Sequence, residues 1–502
     1  MNNQEQKETA QHSNIRAAKA IASAVKTTLG PKGMDKMMLD GNGDTIVTND
    51  GVTILQQLDV SHPGAKMIVE AADTQAAMCY DGTTSMVILA GQLLSNSEGL
   101  LDKGIHPNII CGGYNQAARW ALEHLDTLSV DSDIKQTLHA VARTSVTGKA
   151  LESSMDHVCD LAVQAIEGVD GDYERIRVMC QSGGHLDESY CFSGVILHKK
   201  FMLPNMPTSP NGDVILINTG LSEKKSEENV QVQFSNAKEY QSYRTEVGRD
   251  QWAAKAKLIA GYLPKGGAVI VRDSVNETVA AMLSRENISV VQRIPESDMK
   301  ALSHLLGVDP AHGPEDVTMS IGCSIEQKTI GDMEYVVVEN VDSAVTTLVL
   351  RGATRQTLDE TERGFEDALG VVSMAYKSNS IVPGGGSTYI SMAQHLRQRA
   401  ADVGGREQMA VEAFAEALEV IPATIAENAG HNPLDTVLSL RNEHQQGNTS
   451  MGPCVISGGV VSMEATGVWE PLGLTKQAIQ SASEVAHGIL RIDDIMAKKS
   501  IE

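Results

Sequence analysis

What most restricts the fold of this chain is that its two ends resemble each other and its middle does not. From Asn14 to Leu29, apolar Ile15, Ala18, Ala22, Val25 and Leu29 recur at steps of three and four, which is one face of a helix. Helical periodicity returns over 65–79, 84–101, on to about 125 and again from about 134. It resumes from about 387 to the end, apart from a strand-rich interruption between about 452 and 470. Between these stretches the pattern changes near 171. The string SYCFSGVILHKK has period two, and Pro204, Pro207 and Pro210 mark a border. DVILINTG, GGAVIVRD and ISVVQRI then alternate with helical runs such as ESDMKALSHLLG, the signature of an α/β domain. At 502 residues the chain exceeds the roughly 250–300 at which one core stops growing, so several domains are expected. The economical arrangement is nested, with both ends forming one domain around a central insertion.

Apolar residues make up 42% but aromatics only 4%, so the cores must be filled by aliphatic side chains and the 21 methionines. The formal net charge of -23 argues against binding a phosphate backbone, and no nucleic acid partner is expected. Seven cysteines with no CxxC pair indicate neither a disulfide framework nor a zinc site. The polar start MNNQEQKETAQHSN and the lack of any run of about 18 apolar residues point to a soluble cytoplasmic protein without a membrane partner.

There is no GxxxxGK[ST] loop and no GxGxxG after a strand, so any phosphate site must be built differently. Two tight glycine turns are the candidates: LGPKGM at 29–34, which ends a helix, and YDGTTSM at 80–86, which opens a buried one. Exposed backbone N–H groups in such turns cradle anions. Asp81 offers a hard oxygen suited to magnesium, and Thr83, Thr84 and Ser85 offer hydroxyls and helix-start amides. Each piece alone has an ordinary reading. Asp81 and Thr83–Ser85 can simply cap a helix, and Asn49-Asp50-Gly51 can be a hairpin turn joining two short strands in GDTIVTNDGVTIL. Asp367 can pair with Arg363 four residues earlier on a solvated helix face. Gly384–Gly386 can be a flexible joint, and Glu470 a loop carboxylate.

The joint order of these pieces is more specific than any of them. LGPKGMDKM, TNDGVTIL, HPGAK, DGTTS, TSVTGK at 144–149, ERGFEDALGVV, VPGGGS, GVWEPL and ILRIDD follow one another as in group II chaperonins. The chain therefore resembles subunits of the archaeal thermosome and its eukaryotic cytosolic relatives, from about 12 to 496. The resemblance implies a multidomain α and α/β fold. A mostly helical equatorial domain would be formed by 1–133 and 387–502, a small intermediate hinge domain by 134–204 and 351–386, and an α/β apical domain by 205–350. It implies an ATPase with ATP and Mg2+ as cofactors. Its partners would be other subunits, in a homo- or hetero-oligomeric double ring, and non-native client proteins folded in a closed chamber. By motif, Leu29, Gly30, Pro31 and Gly51 would lie against the nucleotide. Asp81 would hold the metal, Gly82, Thr83, Thr84 and Ser85 the phosphates, while Gly385 would contact the nucleotide and Glu470 lie near the ribose. Lys149 resembles the family's nucleotide-sensing lysine, and Asp50 and Asp367 would flank the attacking water.

The chain departs from that pattern in places. Met78-Cys79-Tyr80 stands where the family usually has Glu-Val-Gly, and a tyrosine there is expected to narrow the pocket. Ser387-Thr388 leads to Tyr389 in place of a usual Glu, EPLGLTKQ replaces EPLRVKTQ, and the expected lid near 235–264 is polar. The tail ends at KKSIE without a longer Gly- and Met-rich extension. A divergent, non-cycling subunit that scaffolds or modulates a mixed ring is the alternative reading.

Overall fold

The structure is a computed structural model that describes residues 3–39, 45–131, 134–222, 248–318, 320–331, 333–340 and 345–494, with the single positions 41, 43 and 496. The chain divides into two compact units, one formed by 1–166, 184–188 and 351–502, the other by 167–183 and 189–350. Two-ended folding around a central insertion is thus how the chain is built. The fold is multidomain, α and α/β, as the sequence implies.

The first unit is mainly helical. Asn3–Lys26, Pro63–Cys79, Thr83–Asp102 and Pro107–Thr127 come from the N-terminal end. Ser387–Val403, Gly405–Leu418 and Leu472–Leu490 come from the C-terminal end. They share one core in which Leu89, Leu93, Leu94, Met392, Phe414 and Ile479 are fully buried. Small residues set the spacing, which explains the shortage of aromatics. A Cβ on Gly91 would overlap the Cβ of Ala22, and one on Gly113 would come within 2.5 Å of that of Ala410. The few aromatics are used at fixed points. Tyr114 meets Phe414 edge-on at 5.6 Å and donates its hydroxyl to the Leu93 carbonyl at 2.8 Å.

One expected strand is a helix. Lys36–Leu39 and Thr45–Thr48 do pair as an antiparallel hairpin, but the segment after Asp50 is the helix Gly51–Gln57. Valine, threonine and isoleucine in GVTIL favour a strand, yet the Asp50 carboxylate accepts from Val52 N and Thr53 N and starts a helix there. Two short strands, Ser380–Pro383 and Trp469–Pro471, are joined antiparallel with Val382 opposite Glu470, and Val130–Asp131 pairs on the other side. This small sheet brings Glu470 next to the glycine turn that opens the 387–403 helix.

In the second unit, Asp213–Ile217, Gly267–Val271 and Ile288–Val291 form a parallel sheet, with Ile321–Gly322 added antiparallel at the edge beside 213–217. Their near-continuous apolar runs are buried, as parallel strands covered by helices require. The helices Gly248–Tyr262, Glu277–Arg285 and Glu296–Leu306 contribute Ile259, Leu283 and Leu302 to the same core. A second sheet, Ser324–Ile330, Met333–Glu339 and Val195–Leu197, is antiparallel throughout. Of the expected lid, 248–262 is helical, whereas 235–247 lies outside the described residues, as does the KKSIE tail. Among the described residues no helix is long and apolar enough to cross a membrane.

Candidate functional site

All the sequence-predicted site residues lie in the first unit and line one cleft of about 290 Å3. Leu29, Gly30 and Pro31 follow the first helix. Gly30 has φ +85°, and Asn428 holds the turn by donating to the carbonyls of Leu29 at 2.8 Å and Lys26 at 3.0 Å. Asp50 and Gly51 face Thr83 and Thr84 so closely that a Cβ on Gly51 would come within 2.5 Å of Thr84 Oγ1. That turn is a helix start, and its carboxylate also accepts from Thr53 Oγ1 at 2.6 Å.

Two helices enter the cleft by their N-termini without a side-chain cap. The 83–102 helix is opened by Gly82 at φ +79° and the 387–403 helix by Gly386 at φ +82°, and neither has a capping hydrogen bond from a side chain. Asp81 and Thr83–Ser85 therefore do not act as the ordinary cap considered for them. The Asp81 carboxylate instead accepts from Gly82 N at 2.7 Å and from Ser145 Oγ at 3.0 Å. Gly385 N, at the second start, donates to Glu470 Oε1 at 3.2 Å. Orphan amides and the positive ends of two helix dipoles favour an anion between them.

Charge around the cleft is not balanced locally. Lys149 Nζ lies 2.6 Å from Asp367 Oδ2 and 3.6 Å from Asp81 Oδ2. Arg363 pairs with Glu360 at 2.7 Å, so the expected pairing of Asp367 along its own helix, Arg355–Ser378, does not form. Burial works against the Lys149 ammonium, but Asp367, Asp81 and Asp50 together outweigh it and raise its pKa. Asp367 is pushed up to about 7 by burial, with Asp81 and Asp50 adding to that against the pull of Lys149. Glu470 is likewise pushed up to about 7, first by burial, despite the bond from Gly385. Several acids share one lysine, an arrangement that added positive charge would relieve.

Tyr80 does not narrow the cleft. It ends the 63–79 helix in the left-handed region, at φ 64°, and its ring packs on Gly370 of the 355–378 helix instead of lining the pocket. Tyr389 is buried and does line it. Sequence reasoning assigned no role to several other neighbours. Ser145 contacts Asp81, Asn49 donates to the Gly148 carbonyl at 2.8 Å, and Thr144 Oγ1 accepts from Trp469 N at 3.1 Å. The buried Gln75 donates to the Asp81 carbonyl at 3.2 Å, and its Oε1 has no partner among the described residues. Ser145, Gly148 and Thr144 fall inside the TSVTGK string, which was the available signal.

Residues 21–500 match the TCP-1/cpn60 chaperonin family. The chain belongs to that family. The chaperonin is 42% identical over 503 residues to thermosome subunit alpha of Halobacterium salinarum, covering 98% of this chain and 89% of that one. Thermosome subunit alpha of Thermoplasma acidophilum is 39% identical over 511 residues, with 99% and 93% covered. Thermosome subunit alpha of Archaeoglobus fulgidus is 38% identical over 510 residues, with 98% and 93% covered. Near-complete coverage by archaeal thermosome subunits makes this a group II chaperonin, with the ATP-dependent chaperone function of that family.

Proposed function

We propose that the cleft binds ATP with Mg2+ and hydrolyses it, and that this turnover drives enclosure and folding of non-native proteins in a double ring. The observation that carries the reading is the convergence of two uncapped helix starts and the carboxylates of Asp50, Asp81 and Asp367 on one cleft. The donor set fits the ligand. Gly82–Ser85 would receive the phosphates on backbone amides and hydroxyls, while Leu29, Gly30, Pro31, Gly51 and Gly385 allow close backbone approach. Glu470 would lie near the ribose. Magnesium, held through Asp81, would neutralise charge on the phosphoryl group being transferred.

The chain's own side chains do the rest. Asp50 and Asp367 orient the attacking water, and Asp367, raised toward neutrality by burial, is a suitable proton acceptor. The Lys149 ammonium, now shared between Asp367 and Asp81, is free to turn toward an incoming anion. No covalent nucleophile is needed, because phosphoryl transfer depends mainly on alignment and charge neutralisation. In this reading 1–133 with 387–502 is the equatorial domain, 134–204 with 351–386 the intermediate hinge, and 205–350 the apical client-binding domain. Hydrolysis is then coupled to hinge motion, since Asp367 and the phosphate turns belong to different domains.

Purified protein is expected to turn over ATP in Mg2+ and to raise the recovery of a denatured client enzyme only when ATP is present. Neither activity, together with co-assembly into rings of a standard subunit, would support the non-cycling scaffold instead.

A further inference from the structure

The side chain of Tyr80 spans the two halves of the cleft's carboxylate pair. Its peptide directly precedes Asp81, and its Cβ, Cγ and Cδ2 lie so close over Gly370 that a Cβ there would overlap them. Gly370 is buried in the 355–378 helix three residues after Asp367, hence on the same face. The backbone at Tyr80 is left-handed, a conformation in which glycine is the unstrained choice, and the ring is what glycine lacks. On the other side of the turn, Gln75 holds the Asp81 carbonyl.

The other link between Asp81 and Asp367 is of a different kind. Lys149 joins them by charge, at 3.6 Å and 2.6 Å, and an anion entering the cleft competes for that ammonium. The ring over Gly370 has no charge to lose when substrate arrives. It sets how closely the Asp367 helix seats on the Asp81 turn in this arrangement, whichever partner the lysine takes.

We propose that Tyr80 is a positioning residue for hydrolysis, setting the distance between Asp81 and Asp367 through its contact with Gly370. The inference rests on the reading of the cleft as the hydrolytic site. Tyr80→Gly tests it while keeping the backbone turn, because glycine adopts the left-handed conformation without strain and lacks the side chain that meets Gly370.

The experiment measures ATP turnover, ATP affinity and thermal unfolding for wild type, Tyr80→Gly, Tyr80→Phe, Gly370→Ala and Asp367→Ala. Tyr80→Gly is expected to lower kcat about tenfold, since small misplacements of reacting groups carry penalties of that order. Its KM for ATP should stay within about twofold and its unfolding temperature within a few degrees, because the turn and the binding amides are kept. Tyr80→Phe, which keeps the ring atoms that meet Gly370, should restore most of kcat. Gly370→Ala should lower kcat by displacing the ring. Wild-type kcat in Tyr80→Gly, or kcat as low in Tyr80→Phe as in Tyr80→Gly, overturns the proposal alone, provided Asp367→Ala is inactive. Undiminished turnover in Asp367→Ala, or none in wild type, overturns the reading of the cleft and this inference with it.

Discussion

Two buried carboxylate clusters in the same helical unit are settled in opposite ways. Glu419, 5% exposed, is held by Arg397 at 2.5 Å and by Arg441 at 2.7 Å through Nε and again through Nη2. Burial pushes its pKa up, but the hydrogen bonds from Arg441 and Arg397 outweigh that and hold it below the ordinary value. Asp367, about a fifth exposed, shares a single lysine with Asp81, and burial leaves it near 7. The first cluster ties the helices 387–403 and 433–445 to the turn at 419 and needs nothing further. The second is left short of positive charge, beside two helices whose starts are left uncapped. A fold that satisfies one buried acid twice over and leaves another wanting shows where a ligand is expected to complete it.

The largest break in that comparison should come from Asp81. Asp81→Ala removes the hard oxygen proposed for magnesium, and turnover at saturating ATP should drop by about 10²–10³-fold with folding intact. Unchanged Mg2+-dependent turnover would place the metal elsewhere. Glu419→Ala should do the reverse, leaving two arginines without their partner and costing about 3–5 kcal/mol in denaturant unfolding. Loss of turnover without loss of stability would show that Glu419 is not structural. Gly82→Ala sharpens the contrast at the helix start. At φ +79° an added Cβ is strained and would also meet Leu474 Cδ2 at 3.0 Å, so ATP affinity should weaken and stability fall by about 1–2 kcal/mol. Equal affinity in the variant would mean that the turn does not touch the ligand.

The smallest effect is a pH dependence remote from the cleft. His124 and His395 stack at 4.3 Å, and burial, then the neighbouring His395, holds His124 down at about 4. Because the folded pKa is lowered, the folded state binds fewer protons than the unfolded chain. This contribution is therefore complete above about 6.5 and is lost as pH falls toward 4, on the order of 1 kcal/mol for half-buried rings. Thermal unfolding followed between pH 7 and 5 should show a smaller decline in His124→Gln than in wild type.

Most of the architecture was legible because it rests on periodic patterns. The amphipathic helix ending at Leu29, the apolar strands 213–217, 267–271 and 288–291, and the similar character of the two chain ends all leave local marks in the sequence. The helix at 51–57 was misread because its β-branched residues outweigh a signal carried by one capping aspartate. The site was legible as an ordered set of short strings, but the partners that hold it were not. Ser145 reaches Asp81 across 64 residues, Gln75 reaches Asp81 around a turn, and Lys149 meets Asp367 across 218 residues, none with any periodic signature. Tyr80 shows the same limit. Its neighbours in sequence place it beside the phosphate turn, and only the packing of Gly370 reveals that the ring faces the other way.

The central claim is that the under-neutralised cluster does chemistry while the balanced one only holds helices together. It is tested most directly by the ATP turnover of Asp367→Ala at saturating Mg2+ and ATP, with nucleotide affinity measured on the same preparation. The account predicts turnover lower by about 10²-fold or more, with affinity preserved within a few-fold. Turnover equal to wild type, at equal affinity, would contradict it.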